Sequence, residues 1–133
     1  MSTPHSEKFL PWWVWAIAFI EMIVPTYFAV ATVIDPSVWG EDTLGAIGQL
    51  YVTRNITMAA GVGLALLLRS HTALFVAVFA RYATDFIDIV AGFLRGPDPE
   101  TQQVLIVFTV VLLVLPLFGL GWLFRRLKSQ TGQ

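Results

Sequence analysis

The chain has 133 residues, 56% of them apolar and only 13% charged, with a net charge of −1 and no cysteine. That charged share is roughly half of what a soluble domain carries, so a membrane-embedded class is the default reading. Disulfides, thiolate catalysis, iron–sulfur clusters and thiolate zinc sites are excluded, and the charge offers no basis for nucleic-acid binding.

Four long apolar segments follow one another: LPWWVWAIAFIEMIVPTYFAVATVI (10–34), LYVTRNITMAAGVGLALLL (50–68), TALFVAVFARYATDFIDIVAGFL (72–94) and VLIVFTVVLLVLPLFGLGWLF (104–124). A hydrocarbon core of about 30 Å takes about 20 helical residues, and each run is near or above that length. None shows the short alternation of barrel strands. The expectation is an all-α integral membrane four-helix bundle, one domain over 1–133, with helices at about 10–34, 49–68, 72–95 and 102–125.

The joints carry breaker signals. DPSVWGEDTLGAIG (35–48) is polar and contains glycine, RSH (69–71) is a tight link, and RGPDPETQQ (95–103) holds two prolines and a glycine. Asp98 or Thr101 is positioned to cap the fourth helix. Lys8, Arg69, Arg125, Arg126 and Lys128 fall on one side and Arg95 on the other, which predicts that both termini are cytoplasmic. Trp12, Trp13, Trp15 and Trp122 sit near that same interface. Lys8, an apolar run and Ala29-Val30-Ala31 mimic a signal peptide, but Glu21 interrupts the run, so residues 10–34 are read as a retained helix. A bacterial inner membrane is the expected location.

Five ionisable residues lie within the apolar segments: Glu21, Arg54, Arg81, Asp85 and Asp88. Such residues are costly at membrane depth, face the bundle interior and pair. Arg81, Asp85 and Asp88 are spaced i, i+4, i+7 and share one helical stripe with Val78 and Gly92. At 1.5 Å per residue, Glu21 and Arg81 lie about 16 and about 14 Å from the cytoplasmic starts of their helices. Arg54 and Asp88 are level with each other near the opposite face. The pairing predicted is Arg54 with Asp88, and Arg81 with Asp85 or Glu21. One acid is then surplus and is expected to hold a proton.

Tyr51, Asn55, Tyr82 and Tyr27 are the polar neighbours read as orienting or ligand-binding residues, and Pro25 frees a backbone carbonyl near Glu21. AAGVGLA (59–65) places Ala59/Gly63 and Gly61/Ala65 at a spacing that allows close helix approach. His5 and His71 lie at the membrane edges, far apart, and are not read as a metal site. No phosphate loop or nucleophile elbow is present, and no cofactor or metal is expected.

The layout of four spans, an arginine opening helix 2 (YVTRNITMAAGVGLALLL) and a short turn into helix 3 (RSHTALFVAVFARYATDFIDIV) resembles the DoxX-like superfamily of small four-helix bacterial membrane proteins. That resemblance implies a bundle rather than a mechanism. A second likeness is to small multidrug transporters, whose helix 1 glutamate is echoed by Glu21 in AIAFIEMIV; they carry no Arg/Asp/Asp seam in helix 3.

Three functions fit this pattern. The first is a polar pocket binding a small lipophilic molecule, isoprenoid or sterol-like, from the bilayer. Asp85, Glu21 or Asp88 would supply metal-independent acid–base chemistry, as in an isomerase, epoxide hydrolase or cyclase, and Arg54 and Arg81 would orient the acids. The second is a proton-coupled transporter that uses Glu21 and works as a homodimer. The third is a structural or accessory subunit whose charges pair internally or with a partner helix.

Overall fold

The computed structural model describes residues 9–35, 46–96 and 98–132. Most of the polar 35–48 loop and the tail bearing Lys8 lie outside the described residues, and so do the loop's acids after Asp35. Four helical rods make up the fold, with no strand among the described residues. They are α1 (Trp12–Ile34), α2 (Ala46–Leu67), α3 (His71–Leu94) and a fourth rod built of α4 (Pro99–Thr109), a π-helical turn (Val110–Val114) and α5 (Leu115–Thr131). Trp12–Ile34, Gln49–Leu67 and Gln102–Thr131 are long and apolar enough to cross a membrane. α3 is of similar length, and its difference from them is the Arg81, Asp85 and Asp88 seam.

Local chemistry sets the helix ends. Pro11 precedes α1, and its carbonyl accepts from the N–H groups of Val14 and Trp15. Between α2 and α3 the Ser70 N–H donates to the Ala65 carbonyl (3.2 Å) and the Arg69 N–H to that of Leu66 (3.1 Å). This is a Schellman stop, with Arg69 in the left-handed position at φ 48°. The Ser70 hydroxyl then caps α3 by accepting from the Ala73 N–H (3.2 Å). Gly96, at φ 65°, follows α3 in the same left-handed region. The Gln102 N–H donates to the backbone carbonyl of Asp98 at the start of α4.

The fourth helix departs from the single run expected over 102–125. It starts earlier, runs further and contains a π-turn just before Pro116. Proline has no N–H to continue the i→i−4 ladder and its ring crowds the preceding turn; a widened turn beside it relieves that crowding.

Neighbouring rods pack in the order α1, α2, α3, fourth rod and back to α1, with α1 against α2 the most extensive contact and α1 against α3 the diagonal. The starts of α1 and α3 and the ends of α2 and α5 share one end. There Leu10, Val14, Leu66, Leu74 and Leu123 join one apolar core. Trp13 and Trp122 meet edge to face (6.4 Å), and His71 reaches the Phe9 carbonyl (2.8 Å).

Small residues bring the rods together. A Cβ at Gly63 would stand 3.3 Å from the Met22 sulfur, and one at Gly119 would stand 3.3 Å from Ile17. Of the two small-residue pairs in helix 2, Ala59/Gly63 faces α1, whereas Gly61 looks into open space. Large apolar side chains coat the outside, among them Ile23, Val33, Leu64, Ile87, Val107 and Phe118. Such an exterior is far larger than the apolar patches of a water-soluble monomer and fits a membrane-embedded bundle.

Candidate functional site

The periodicity of α1 and α3 decides where the charges go. On α1 the buried stripe runs Val14, Ile17, Ala18, Glu21, Pro25, Ala29 and Thr32; on α3 it runs Leu74, Val78, Arg81, Asp85 and Ile89. Both stripes face inward, so Glu21 meets Arg81 across the bundle's diagonal. Glu21 is 1% exposed, and Arg81 and Asp85 are each 4% exposed.

Arg81 is the hub. Its Nη2 lies 2.8 Å from Asp85 Oδ1, its Nη1 donates to Asn55 Oδ1 (2.9 Å), and its Nε stands 3.9 Å from Glu21 Oε2. Asn55 is itself buried and oriented from α2, because its Nδ2 donates to the Tyr51 carbonyl (2.9 Å) and so turns its oxygen toward Arg81. One guanidinium thus organises three helices.

The hydrogen bonds are unevenly shared. Asp85 Oδ1 is held by Arg81, but among the described residues none donates to Asp85 Oδ2 or to either oxygen of Glu21. Buried carboxylates ordinarily collect donors. Pro25 adds a further acceptor at this level, since the carbonyl it leaves without an i→i−4 donor is that of Glu21 itself. The inner cluster therefore holds one cation, two acids and a surplus of acceptor oxygens.

A second pair lies nearer the opposite end. Arg54 Nη2 is 2.5 Å from Asp88 Oδ2 and Nη1 is 3.3 Å from Oδ1, a two-pronged bond from α2 to α3. Tyr51 packs its ring against the same guanidinium (5.4 Å to the centroid). These side chains are about 40% exposed (35% and 43%). Both pairings expected from helical depth are present, and Arg81 takes Asp85 as its close partner with Glu21 as its distant one.

Two residues stand elsewhere. Tyr27 is 67% exposed and turned outward, away from the cluster. Its position two residues past Pro25 set its depth but not its face. Tyr82 is half-buried against the apolar core rather than in the polar network.

The structure adds a feature that hydropathy does not reveal. An open, apolar groove of about 340 Å³ runs between α1 and the fourth rod, lined by Val24, Tyr27, Phe28, Phe108, Val111 and Leu112, among others. Val24 and Phe28 follow Glu21 by three and seven residues, so the groove begins about one turn, roughly 4.5 Å, beyond it. No cluster residue lines it. Pro116, inside a helical run, was the sequence signal for the irregular turn that forms its wall.

Comparison with protein-family models gives no match, and no curated protein or solved structure is similar at a significant level.

Proposed function

We propose that this chain is a multi-pass protein of a bacterial inner membrane, related in layout to the DoxX-like bundles, with both termini cytoplasmic. Its Glu21–Arg81–Asp85 site binds a small isoprenoid or sterol-like molecule from the bilayer and performs acid–base chemistry on it. α3 crosses the membrane as the fourth span because the charges at its centre, Arg81 and Asp85, are turned inward and paired.

The observation that carries this reading is Glu21, which is 1% exposed with neither carboxyl oxygen accepting a hydrogen bond from any of the described residues. A carboxylate kept for architecture alone would gain by spending its oxygens on donors. One that must hand a proton to a substrate has to keep an oxygen free for it. In this reading the open apolar groove between α1 and the fourth rod, about one turn beyond Glu21, is the lateral entry from the lipid. Asp85 is the second acid or base, Arg81 holds the two acids in place, and Asn55 holds Arg81.

The test is the set of lipophilic molecules that co-purify with the protein in polymer-bounded nanodiscs, read by mass spectrometry. One isoprenoid or sterol-like species should be enriched over the bulk membrane and lost when Phe108→Trp fills the groove. Glu21→Gln should keep the binding but shift the ratio of bound substrate to product. A co-purifying set identical to bulk lipid in every protein would end the proposal.

A second reading is favoured by one observation. Arg81–Asp85 and Arg54–Asp88 are both close pairs that join or brace helices, as an accessory subunit with internally paired charges would require. It leaves Glu21 without a role.

A further inference from the structure

The five charges form a graded series from the centre of the bundle to one end. Glu21, Arg81 and Asp85 are buried, whereas the Asp88 side chain is 43% exposed. Asp85 has one oxygen on Arg81 and one, Oδ2, with no donor among the described residues. Asp88 follows it by three residues on the same helix, about 4.5 Å further along the axis. Carboxylates thus recur from the surface inward: Asp88, then Asp85, then Glu21 beside the same guanidinium.

In the other direction the series stops. Below Arg81 the α3 stripe continues through Val78 and Leu74, which pack with Val14, Val62 and Leu123 in the apolar core. The groups around the cluster can be named from every rod. α3 brings Arg81 and Asp85 beside Glu21 and, nearer the end, Asp88. α2 brings Asn55 on Arg81 and, nearer the end, Arg54 with Tyr51. The fourth rod has no titratable residue between Glu100 and Arg125, and α1 has none but Glu21 before Tyr27.

We propose that Glu21 is an exchangeable proton site with access from one end only, the end where α2 and α4 begin, through Asp88 and Asp85. A proton taken from water by the Asp88 carboxylate passes to Asp85 Oδ2 and then to Glu21, whose carboxylate becomes a carboxylic acid. Arg81 keeps its own proton throughout. It loses one of its two competing acids, and the single surplus negative charge of the inner cluster is cancelled. Chains of acids at membrane depth are a recurrent way to move protons. The apolar core closes the opposite end. This rests on the inner cluster being a working site, as proposed above, and not on what lipophilic molecule it meets.

Infrared difference spectroscopy of the protein in nanodiscs, without added substrate, tests it. The readouts are the carbonyl stretch of a protonated carboxyl and its rate of shift in deuterated water. The parent should show one such band, absent in Glu21→Gln. Asp88→Asn should keep the band but slow its exchange roughly a hundredfold, the lower range for a positioned proton-transfer group. The double variant Arg54→Gln/Asp88→Asn, which strands no charge, should slow it equally. Glu100→Gln removes the same charge near the same end, off the route, and should leave the rate unchanged. No band in the parent, a band that survives Glu21→Gln, or an unchanged rate in the double variant would overturn the proposal. A band with the expected rates but no enriched lipophile would keep the proton site and remove the catalytic reading.

Discussion

Arg81 and Glu21 stand 3.9 Å apart at their closest atoms, near enough to attract and too far to hydrogen bond. The same arginine holds Asp85 at 2.8 Å. Two acids of equal burial therefore differ in what the fold would lose with each. Glu21→Gln removes a charge with no hydrogen bond and should leave stability within about 1 kcal/mol of the parent, or raise it, as functional sites often do. Asp85→Asn strips the close partner from a buried guanidinium and should cost about 3–5 kcal/mol. Thermal unfolding in detergent of the two variants beside the parent measures the difference. Equal large losses would make Glu21 a structural partner.

Asn55 should matter more than a neutral side chain suggests. Its oxygen accepts from Arg81 and its amide donates to the Tyr51 carbonyl. Asn55→Leu leaves a buried guanidinium N–H without its acceptor, at a cost of about 1–3 kcal/mol. Asn55→Gln, longer by one methylene, should recover only part of it. A full return of the parent's melting temperature in Asn55→Leu would mean that Arg81 finds another acceptor.

The glycines of the second and fourth rods should respond to alanine in a fixed order. At Gly61 nothing lies within 4 Å of a new Cβ, so the better helix propensity of alanine should add up to about 1 kcal/mol. At Gly63 the nearest atom is the flexible Met22 sulfur at 3.3 Å, which can give way, and the change should be near neutral. At Gly119 the nearest atoms belong to Ile17, branched and buried, and the crowding should cost about 1–3 kcal/mol. Melting temperatures of the three single variants read the order directly.

Arg69 ends α2 with φ at 48°, a conformation that glycine adopts freely and a Cβ-bearing residue does not. Arg69→Gly should therefore stabilise the α2–α3 hairpin by about 1 kcal/mol. Arg69→Ala keeps the Cβ and loses only the exposed charge, so it should not. Unfolding in denaturant of both variants separates the backbone effect from the charge effect, and equal stabilities would remove the backbone explanation.

Much of this protein is determined by its sequence alone, because the relevant physics is local. Run length and composition define the helices, and helical spacing puts Arg81, Asp85 and Asp88 on one stripe. Counting residues from the helix ends also predicts the level pairing of Arg54 with Asp88. Tertiary structure decided the rest: how each rod is rotated about its axis and how closely neighbouring rods approach. Rotation turned Tyr27 outward and Glu21 inward, although the two are only six residues apart. Approach distance made Asp85 rather than Glu21 the close partner of Arg81 and aimed Asn55 at it. The groove beside the π-turn likewise depends on separation between α1 and the fourth rod, which no single helix encodes. Depth along a helix is a property of one chain segment, whereas facing and distance belong to pairs of segments packed together.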